Sequence, residues 1–548
     1  MVKSKPSRNK NFRFDPLKSE NFPAESDLKG YLRSTSERER EIGCIAVANM
    51  KSIPDISYVK LIVERISDAS LSVQLSALQA AISLTQEYSG DLLRLGVLNL
   101  IDPIINQYFL VDPILPNSKQ EEQLIITIVQ TTLYLLESLC QENETFIQSL
   151  QNSPIIQECI NKIIAKNASY ISPCLDLLNA FSEENAQACD LIGTFFNNLY
   201  SLVTDGDLTP DNKMNIVLLI SNFCIVKNQT QLLGEYVIFP CGKSLQVDVY
   251  SDLMNHVIPV INEENNGNAL EIWNNGVKAQ EISLEIITNL LAVEDEEVPI
   301  GNQFMNNALI NDIMRAANGF TQEFGQNLEA FPEILSKVFE LQCAAFYCVQ
   351  NLVLNTDHLV QTVGAQNFWD FLFGQIRKIA DFIEEDVDCK ENVEELLDII
   401  SQVLLCFGKK YGNAFANKVS YIQEICTLIN QLPIPIASNL IAALSVCAQE
   451  ELTVDQARMI VNTLLFCATK GDMNMKCEVL NAFFDIFNDE RYDSVLIELR
   501  VIGLMKSGSN LVFRHAAKLE DEELKERCGE ALENLVEFIK YKEAHGVN

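Results

Sequence analysis

The sequence predicts an all-α fold built from stacked pairs of helices. In the stretch from Ala279 to Ala292, apolar residues recur three and four positions apart and so line one broad face of an α-helix. The same pattern returns along the whole chain of 548 residues, and one such helix cannot bury its apolar face alone. Glycine (22) and proline (16) are too sparse for an all-β chain. We therefore expect an armadillo/HEAT-repeat α-solenoid, that is, a superhelix of repeats.

The apolar pattern also predicts where the second helix of each pair begins. The intervals between successive starts are roughly 30 to 65 residues, against roughly 40–47 for repeats of this class, so the longer intervals imply inserted loops. Residues 227–250 contain Gly, Pro and β-type residues and are expected to be such an irregular insert. The predicted starts lie near Ile42, Val73, Thr131, Ser172, Met214, Ala279, Leu341, Val393, Ser438, Lys476 and Arg527.

Four segments follow from this pattern and from local composition. Residues 1–23 are expected to be a disordered basic head, because they lack helical periodicity and carry many Lys and Arg residues. Residues 24–292 are expected to form armadillo-like repeats, and residues 307–548 HEAT-like repeats. A short acidic loop at residues 293–306 separates them.

The head contains a candidate nuclear localisation signal. Arg8, Lys10 and Arg13 precede Pro16 and Leu17, and this order is similar to the proline-tyrosine signals that transportin-type import receptors read, with Leu in place of Tyr. The basic groups would meet an acidic receptor surface, while Pro16 and Leu17 would enter an apolar pocket. The alternative interpretation is a soluble basic tail without a receptor.

The chain as a whole is strongly acidic. It carries 75 Asp and Glu residues against 41 Lys and Arg, a formal net charge of −34. This charge disfavours direct binding of nucleic acid and favours a basic protein partner. Plain solubility is the alternative explanation. Two acidic stretches are candidate contacts for such a partner: Glu294, Asp295, Glu296 and Glu297, and then Glu384, Glu385 and Asp386.

No motif for catalysis, a metal or a cofactor stands out, so we do not expect an enzyme. The four His residues form no pair at i, i+4. Gly242-Lys243-Ser244 ends like a phosphate-binding loop, but Val237 occupies the position of the required upstream Gly. The cysteines lie mostly in apolar helical runs, which indicates a reducing compartment and no metal. The most apolar run, residues 216–226, is too short to span a membrane.

A recurring amide is the candidate for peptide recognition. An Asn side chain falls late in several second helices, and a row of amides in a groove can hydrogen-bond the backbone of an extended peptide. Capping of each helix end by its own Asn is the alternative. Trp273 precedes the Ala279 stretch and fits either a groove wall or the core. The Asn residues are Asn179, Asn222, Asn289, Asn351 and Asn481.

Four stretches spread along the chain resemble the symportin family, whose animal members are called HEAT-repeat-containing protein 3. They are Met1–Lys5 with Arg13–Leu17, Ala269–Leu290, Leu480–Asp489 with Tyr492 and Asp493, and Glu533–Lys542. The last two are the most specific.

The resemblance implies a nuclear import adaptor and chaperone. Symportins bind newly made large-subunit ribosomal proteins five and eleven and link them to a transportin-class receptor, for delivery to the 5S RNA particle. They shuttle between cytoplasm and nucleus. The family's acidic loop is long, whereas here it is reduced to Glu294–Glu297, so binding of protein eleven is in question or moves to residues 381–395. The alternative function is a general importin-α-like or scaffolding armadillo protein that binds extended peptides.

Overall fold

The computed structural model describes residues 25–507 and 521–547 apart from short gaps. The gaps are 51–52, 54, 111–117, 152, 205, 262–266, 293, 296–297, 320–327, 329–330, 384–389, 413–417 and 450. Contacts among the described residues group them into two compact units, one ending at Ile286 and the other beginning at Ile287.

The first unit is entirely helical in its described part. Its α-helices are α1 (Glu25–Arg33), α2 (Glu37–Ala48), α3 (Ser57–Arg65), α4 (Leu71–Arg94), α5 (Val97–Tyr108), α6 (Lys119–Glu142), α7 (Glu144–Leu150), α8 (Pro154–Ile164), α9 (Ile171–Ser182), α10 (Ala186–Thr194), α11 (Phe196–Val203), α12 (Pro210–Val226), α13 (Phe239–Leu245), α14 (Val249–Asp252), α15 (Ile258–Ile261) and α16 (Gly267–Ala292), the last of which continues into the second unit.

The second unit repeats the helical pattern after a short β-hairpin. Its elements are β1 (Glu294–Asp295), β2 (Val298–Pro299), α17 (Asn307–Ala317), α18 (Pro332–Asn355), α19 (His358–Val363), α20 (Ala365–Ile383), α21 (Lys390–Tyr411), α22 (Ile422–Gln431), α23 (Ile434–Cys447), α24 (Val454–Lys470), α25 (Met473–Phe487), α26 (Asp493–Glu498) and α27 (Glu522–Ala544).

Each unit is a double row of helices. In the first unit α2, α4, α6, α9 and α12 pack side by side, and in the second unit α18, α21, α23, α25 and α27 do the same. These are the second helices, and a first helix packs against most of them from the other side, as α8 does on α9 and α24 on α25. Every predicted start of a second helix falls in a helix of the structure, so the all-α solenoid prediction is confirmed.

The second helices are buried on more than one side, because their apolar residues face both rows of helices. In α18, for example, Leu341, Ala345, Phe346 and Val349 are all buried. Polar caps begin many of the helices. Thr453 and Gln456 form a reciprocal capping box at the start of α24, and Asp521 accepts a hydrogen bond from the Leu524 amide at the start of α27.

One local expectation was wrong. Residues 227–250 are mostly helical rather than irregular, with a π-helical turn at Gly234–Ile238 that leads directly into α13. The acidic loop begins as an antiparallel pair, in which Glu294 lies opposite Pro299 and Asp295 opposite Val298. This hairpin provides the only strands in the described part of the chain, and at two residues each they do not change the fold class.

Candidate functional site

The two sets of charged residues predicted from the sequence lie mostly beyond the described residues. Arg8, Lys10, Arg13, Pro16 and Leu17 are all outside them. In the acidic stretches, Glu296, Glu297, Glu384, Glu385 and Asp386 are also outside, while the backbone of Glu294 and Asp295 forms β1. Import-receptor binding and the acidic contact therefore stay predictions.

The amides of the first unit tie neighbouring repeats together instead of lining an open groove. Asn179 is only 2 % exposed, and its Nδ2 donates to the carbonyl oxygen of Asn215 at 3.2 Å, from α9 to α12. Asn222 on α12 is half-buried and donates back to Ser182 Oγ at 3.1 Å. The expectation that Asn179 contacts a cargo is therefore wrong, because its amide is buried in the contact between two repeats.

Asn351, Asn289 and Trp273 lie within helices or in the core, whereas Asn481 is exposed. Asn351 is half-buried and donates to the Tyr347 carbonyl one turn earlier in its own helix, at 3.1 Å. Asn289 is half-buried on α16. Trp273 is 2 % exposed and its indole N–H donates to the Val249 carbonyl at 2.8 Å. Trp273 is thus a core residue and not a groove wall.

A concave surface lies in the second unit, on the side formed by its second helices. It is a groove of about 890 Å³ that crosses α21, α23, α25 and α27 in turn. We call this surface the amide groove. Its lining residues are Gly408, Lys409, Lys410, Gly412, Ala442, Ser445, Val446, Gln449, Glu478, Asn481, Ala482, Phe484, Asp485, Asn488, Asn534, Glu537, Phe538 and Tyr541.

Three exposed asparagines provide free hydrogen-bonding groups in the amide groove. Asn481 and Asn488 belong to α25 and its C-terminal cap, and Asn534 belongs to α27. Their side-chain amides make no hydrogen bond to any described residue, in contrast to Asn179 and Asn351. Each amide therefore presents a donor and an acceptor to a bound molecule.

The charges in the amide groove are partly neutralised from within. Glu478 pairs with Arg527 at 2.6 Å, and Glu537 pairs with Lys540 at 2.7 Å. Lys410 donates to the Val353 carbonyl at the end of α18, at 2.9 Å. These contacts hold the groove walls, and they leave fewer charges available for a ligand.

Asp485 is the carboxylate of the amide groove that has no ion pair within the described residues. Its surroundings desolvate it and raise its pKa above the ordinary value, while the positive charge of Lys409 acts in the opposite direction. A carboxylate in this state gains from an approaching cation, because the cation compensates for the lost hydration.

Aromatic rings provide the apolar part of the groove. Phe484 on α25 and Phe538 on α27 lie with their ring centroids 5.4 Å apart, and Tyr541, one turn further along α27, is 39 % exposed. Together with Ala442 and Ala482 these rings offer an apolar floor between the polar groups. The arrangement suits an extended chain that alternates polar and apolar side chains.

Comparison with protein families gives a match for the part of the chain that contains the amide groove. Residues 299–546 match the family described as "SYO1-like, TPR repeats". This match covers less than half of the chain, and we call residues 299–546 the SYO1-like region. The symportin resemblance seen in the sequence is thereby confirmed, and every lining residue of the amide groove lies inside the SYO1-like region.

Among solved structures, importin-β chains match most of this chain. One match is an importin-β chain crystallised from ammonium sulfate, with 12 % identity and a TM-score of 0.50. The match covers 94 % of this chain and 62 % of the importin-β chain. A second match is yeast importin-β, with 13 % identity and a TM-score of 0.48. This match covers 94 % of this chain and 67 % of yeast importin-β. The chain thus spans less than two thirds of the first importin-β, and identity this low shows the fold alone. Comparison with curated protein sequences gives no match.

Three other features of the described residues bear on metal, phosphate and membrane binding. No group of three or more His, Cys, Asp or Glu side chains there could hold a metal ion. Gly242, Lys243 and Ser244 lie inside α13, so they do not form a phosphate-binding loop. Helix α6 is long and apolar enough to cross a membrane, yet 67 % of its most apolar window is buried against other helices, as in a core helix.

Proposed function

We propose that the protein is a nuclear import adaptor and chaperone for large-subunit ribosomal proteins five and eleven, and that it links them to a transportin-class import receptor. The observation that carries this proposal is the match of residues 299–546 to the SYO1-like family, together with the symportin-like stretches elsewhere in the chain. On this proposal the protein shuttles between cytoplasm and nucleus. It acts by binding, without catalysis or a cofactor.

The charge of the chain supports a basic cargo. A net charge of −34 speeds the encounter with a strongly basic protein and competes with RNA for its positive surface. This attraction is screened within about 8 Å at cellular ionic strength. Selection of the correct cargo therefore requires short-range contacts, and the amide groove is a surface that could supply them.

The proposal is tested by capture of partners from cell lysate. The purified full chain is immobilised, incubated with lysate at about 0.05 M and about 0.15 M salt, and its bound proteins are identified by mass spectrometry. We expect enrichment of ribosomal proteins five and eleven at both salt concentrations. A matched control uses an immobilised acidic protein of similar net charge, which should lose basic proteins at the higher salt.

Two other outcomes would overturn the proposal. A broad set of nuclear cargos without ribosomal proteins five and eleven would favour the importin-α-like or scaffolding alternative. Capture of many ribosomal proteins in proportion to their positive charge would indicate charge attraction alone. In a second assay, purified ribosomal proteins five and eleven should stay soluble with RNA when the chain is present and precipitate when it is replaced by the acidic control.

A further inference from the structure

We propose that the amide groove binds an extended peptide segment through its backbone, with a lysine or arginine side chain of that segment placed on Asp485. This inference depends on the proposed function in one respect: the proposed function names the cargo protein that would supply the peptide segment. The binding chemistry itself follows from residues of the SYO1-like region.

The unpartnered amides are placed to hold a peptide backbone. Asn481 and Asn488 are seven residues apart, which is two helical turns or about 10 Å along α25, and Asn534 lines the groove from α27. Asn179 and Asn351, which have the same residue type on equivalent helices, are occupied by protein carbonyls. Exposed Asn side chains that converge on one groove without internal partners are what recognition of a main chain requires.

The length of the groove sets the length of the segment. The groove crosses from α21 to α27 in three helix-to-helix steps, each about 9 Å for packed helices. The total of about 27 Å corresponds to about eight residues of extended chain at about 3.3 Å per residue. A folded domain would rest on the rim, whereas an extended segment reaches both Lys409 at one end and Asn534 at the other.

Charge decides the preferred side chain. Glu478, Glu537 and Lys410 already have partners in the protein. Asp485 has no ion pair among the described residues, although the charge of Lys409 acts on it, and it is therefore the carboxylate that a ligand can neutralise. The rings of Phe484 and Phe538 lie on the same two helices and provide the neighbouring apolar contact. The segment should therefore carry a lysine or arginine next to an aliphatic residue.

Fluorescence anisotropy of the full chain with a labelled peptide tests the inference. The probe is a twelve-residue peptide of four Leu-Lys-Ser repeats, and its partner probe has Gln in place of Lys. We expect Asp485→Asn to weaken binding of the Lys probe about five- to tenfold and to leave the Gln probe unchanged. Asn481→Ala combined with Asn534→Ala should weaken both probes, because it removes contacts to the backbone.

Matched controls come from the same unit, outside the groove. Asn462→Ala removes an exposed amide from α24, and Glu523→Gln removes an exposed carboxylate from the first turn of α27. Both should bind the two probes like the unmodified chain, and circular dichroism should show all variants equally helical. Because the replaced side chains are exposed, loss of folding is not expected.

The inference is overturned if the unmodified chain does not bind the Lys probe at millimolar concentration. It is also overturned if the groove variants bind as tightly as the control variants, or if Glu523→Gln weakens binding as much as Asp485→Asn does. Ribosomal proteins take no part in this measurement. Failure to capture them from lysate would thus remove the proposed function, while a positive result here would still assign the groove to a basic extended peptide.

Discussion

Lys542, fully buried in the last helix, places its Nζ 2.5 Å from Asp493 Oδ1 and 2.7 Å from the carbonyl oxygen of Asp489. The ammonium group joins α27 to the turn before α26 and so fixes the final repeat of the SYO1-like region. Replacing Lys542 by Met would leave Asp493 mostly buried without its cation. We expect the free energy of unfolding, measured by urea denaturation of the full chain, to fall by about 3 kcal/mol.

Two further variants separate this buried pair from ordinary surface charges. Lys540→Met removes an exposed partner of Glu537 and should change the free energy of unfolding by less than about 1 kcal/mol. Lys542→Met combined with Asp493→Leu removes both charges and should recover much of the loss. Equal effects of the Lys540 and Lys542 variants would show that the buried pair has no special role.

Asn179 should matter for stability and not for cargo binding. Its amide donates to the Asn215 carbonyl within the contact between α9 and α12, so Asn179→Ala leaves a buried carbonyl with one hydrogen bond fewer. We expect a loss of about 1–3 kcal/mol in the free energy of unfolding, with unchanged capture of ribosomal proteins below the unfolding transition. Reduced capture at unchanged stability would restore Asn179 to the cargo site.

The sequence predicted the helices well because apolar spacing directly reports which face of a helix is buried. It could not say which neighbour covers a polar residue at the edge of that face. Asn179 and Asn481 have similar positions late in their helices, yet one meets the next repeat and the other opens into a groove. The difference depends on residues 36 or more positions away, such as Asn215, whose carbonyl accepts the hydrogen bond of Asn179.

The amide groove was missed for the same reason, although a signal for it existed. Four helices distant in sequence contribute its lining residues, and no local pattern joins them. The two most specific symportin-like stretches, Leu480–Asp489 and Glu533–Lys542, nevertheless contain Asn481, Asn488 and Asn534 together with Phe484 and Phe538. Symportin-like stretches on two adjacent helices were thus the available indication of a shared surface.

Asp398 gives the folded chain a predictable response to pH. Burial raises the pKa of this carboxyl above its ordinary value of 3.8, against the hydrogen bonds that it accepts from Gln402 and Asn439. An acid with a raised pKa in the folded state holds its proton more tightly there than in the unfolded state. Its contribution to stability therefore falls as pH rises from about 3.8 through the raised value, and then levels off.

The Asp398→Asn variant tests this sign. Asn is uncharged at every pH, so the stability of the unmodified chain relative to the variant should decrease between about pH 4 and pH 7, within about 1 kcal/mol. Urea denaturation midpoints of both proteins over this pH range provide the measurement. A relative stability that increased with pH would mean that the two hydrogen bonds outweigh burial. Asp312→Asn, at a half-buried carboxyl paired with Arg315 on α17, is the control.

The cysteines should react with alkylating reagents in a defined order. Only the thiolate reacts quickly, and burial raises the pKa of Cys44, Cys348 and Cys477 to about 12. Cys406 is the half-buried thiol among the described cysteines, which are otherwise buried. We expect iodoacetamide at about pH 8 to modify Cys406 first among them, as read by mass spectrometry of peptides.

The modification rates of the cysteines in the unfolded chain provide the reference for this order. In urea above the transition, all the cysteines should be modified at similar rates, because burial no longer raises their pKa values. Cys406→Ser should remove the earliest modified peptide among those from the described residues without changing the others. Native modification of Cys348 as fast as Cys406 would contradict the packing of α18.

Nuclear entry should depend on Pro16 and Leu17, while cargo binding should not. In the proposed function the basic residues of the head attract an acidic receptor surface, and Pro16 with Leu17 adds the apolar contact that gives the complex its lifetime. Pro16→Ala combined with Leu17→Ala should therefore lower the nuclear-to-cytoplasmic ratio of a fluorescent fusion several-fold and leave capture of ribosomal proteins unchanged. Pro6→Ala, in the same head but outside the motif, is the matched control. If the double variant enters the nucleus as efficiently as the Pro6 variant, the head is not the import signal, and the receptor must contact another part of the chain.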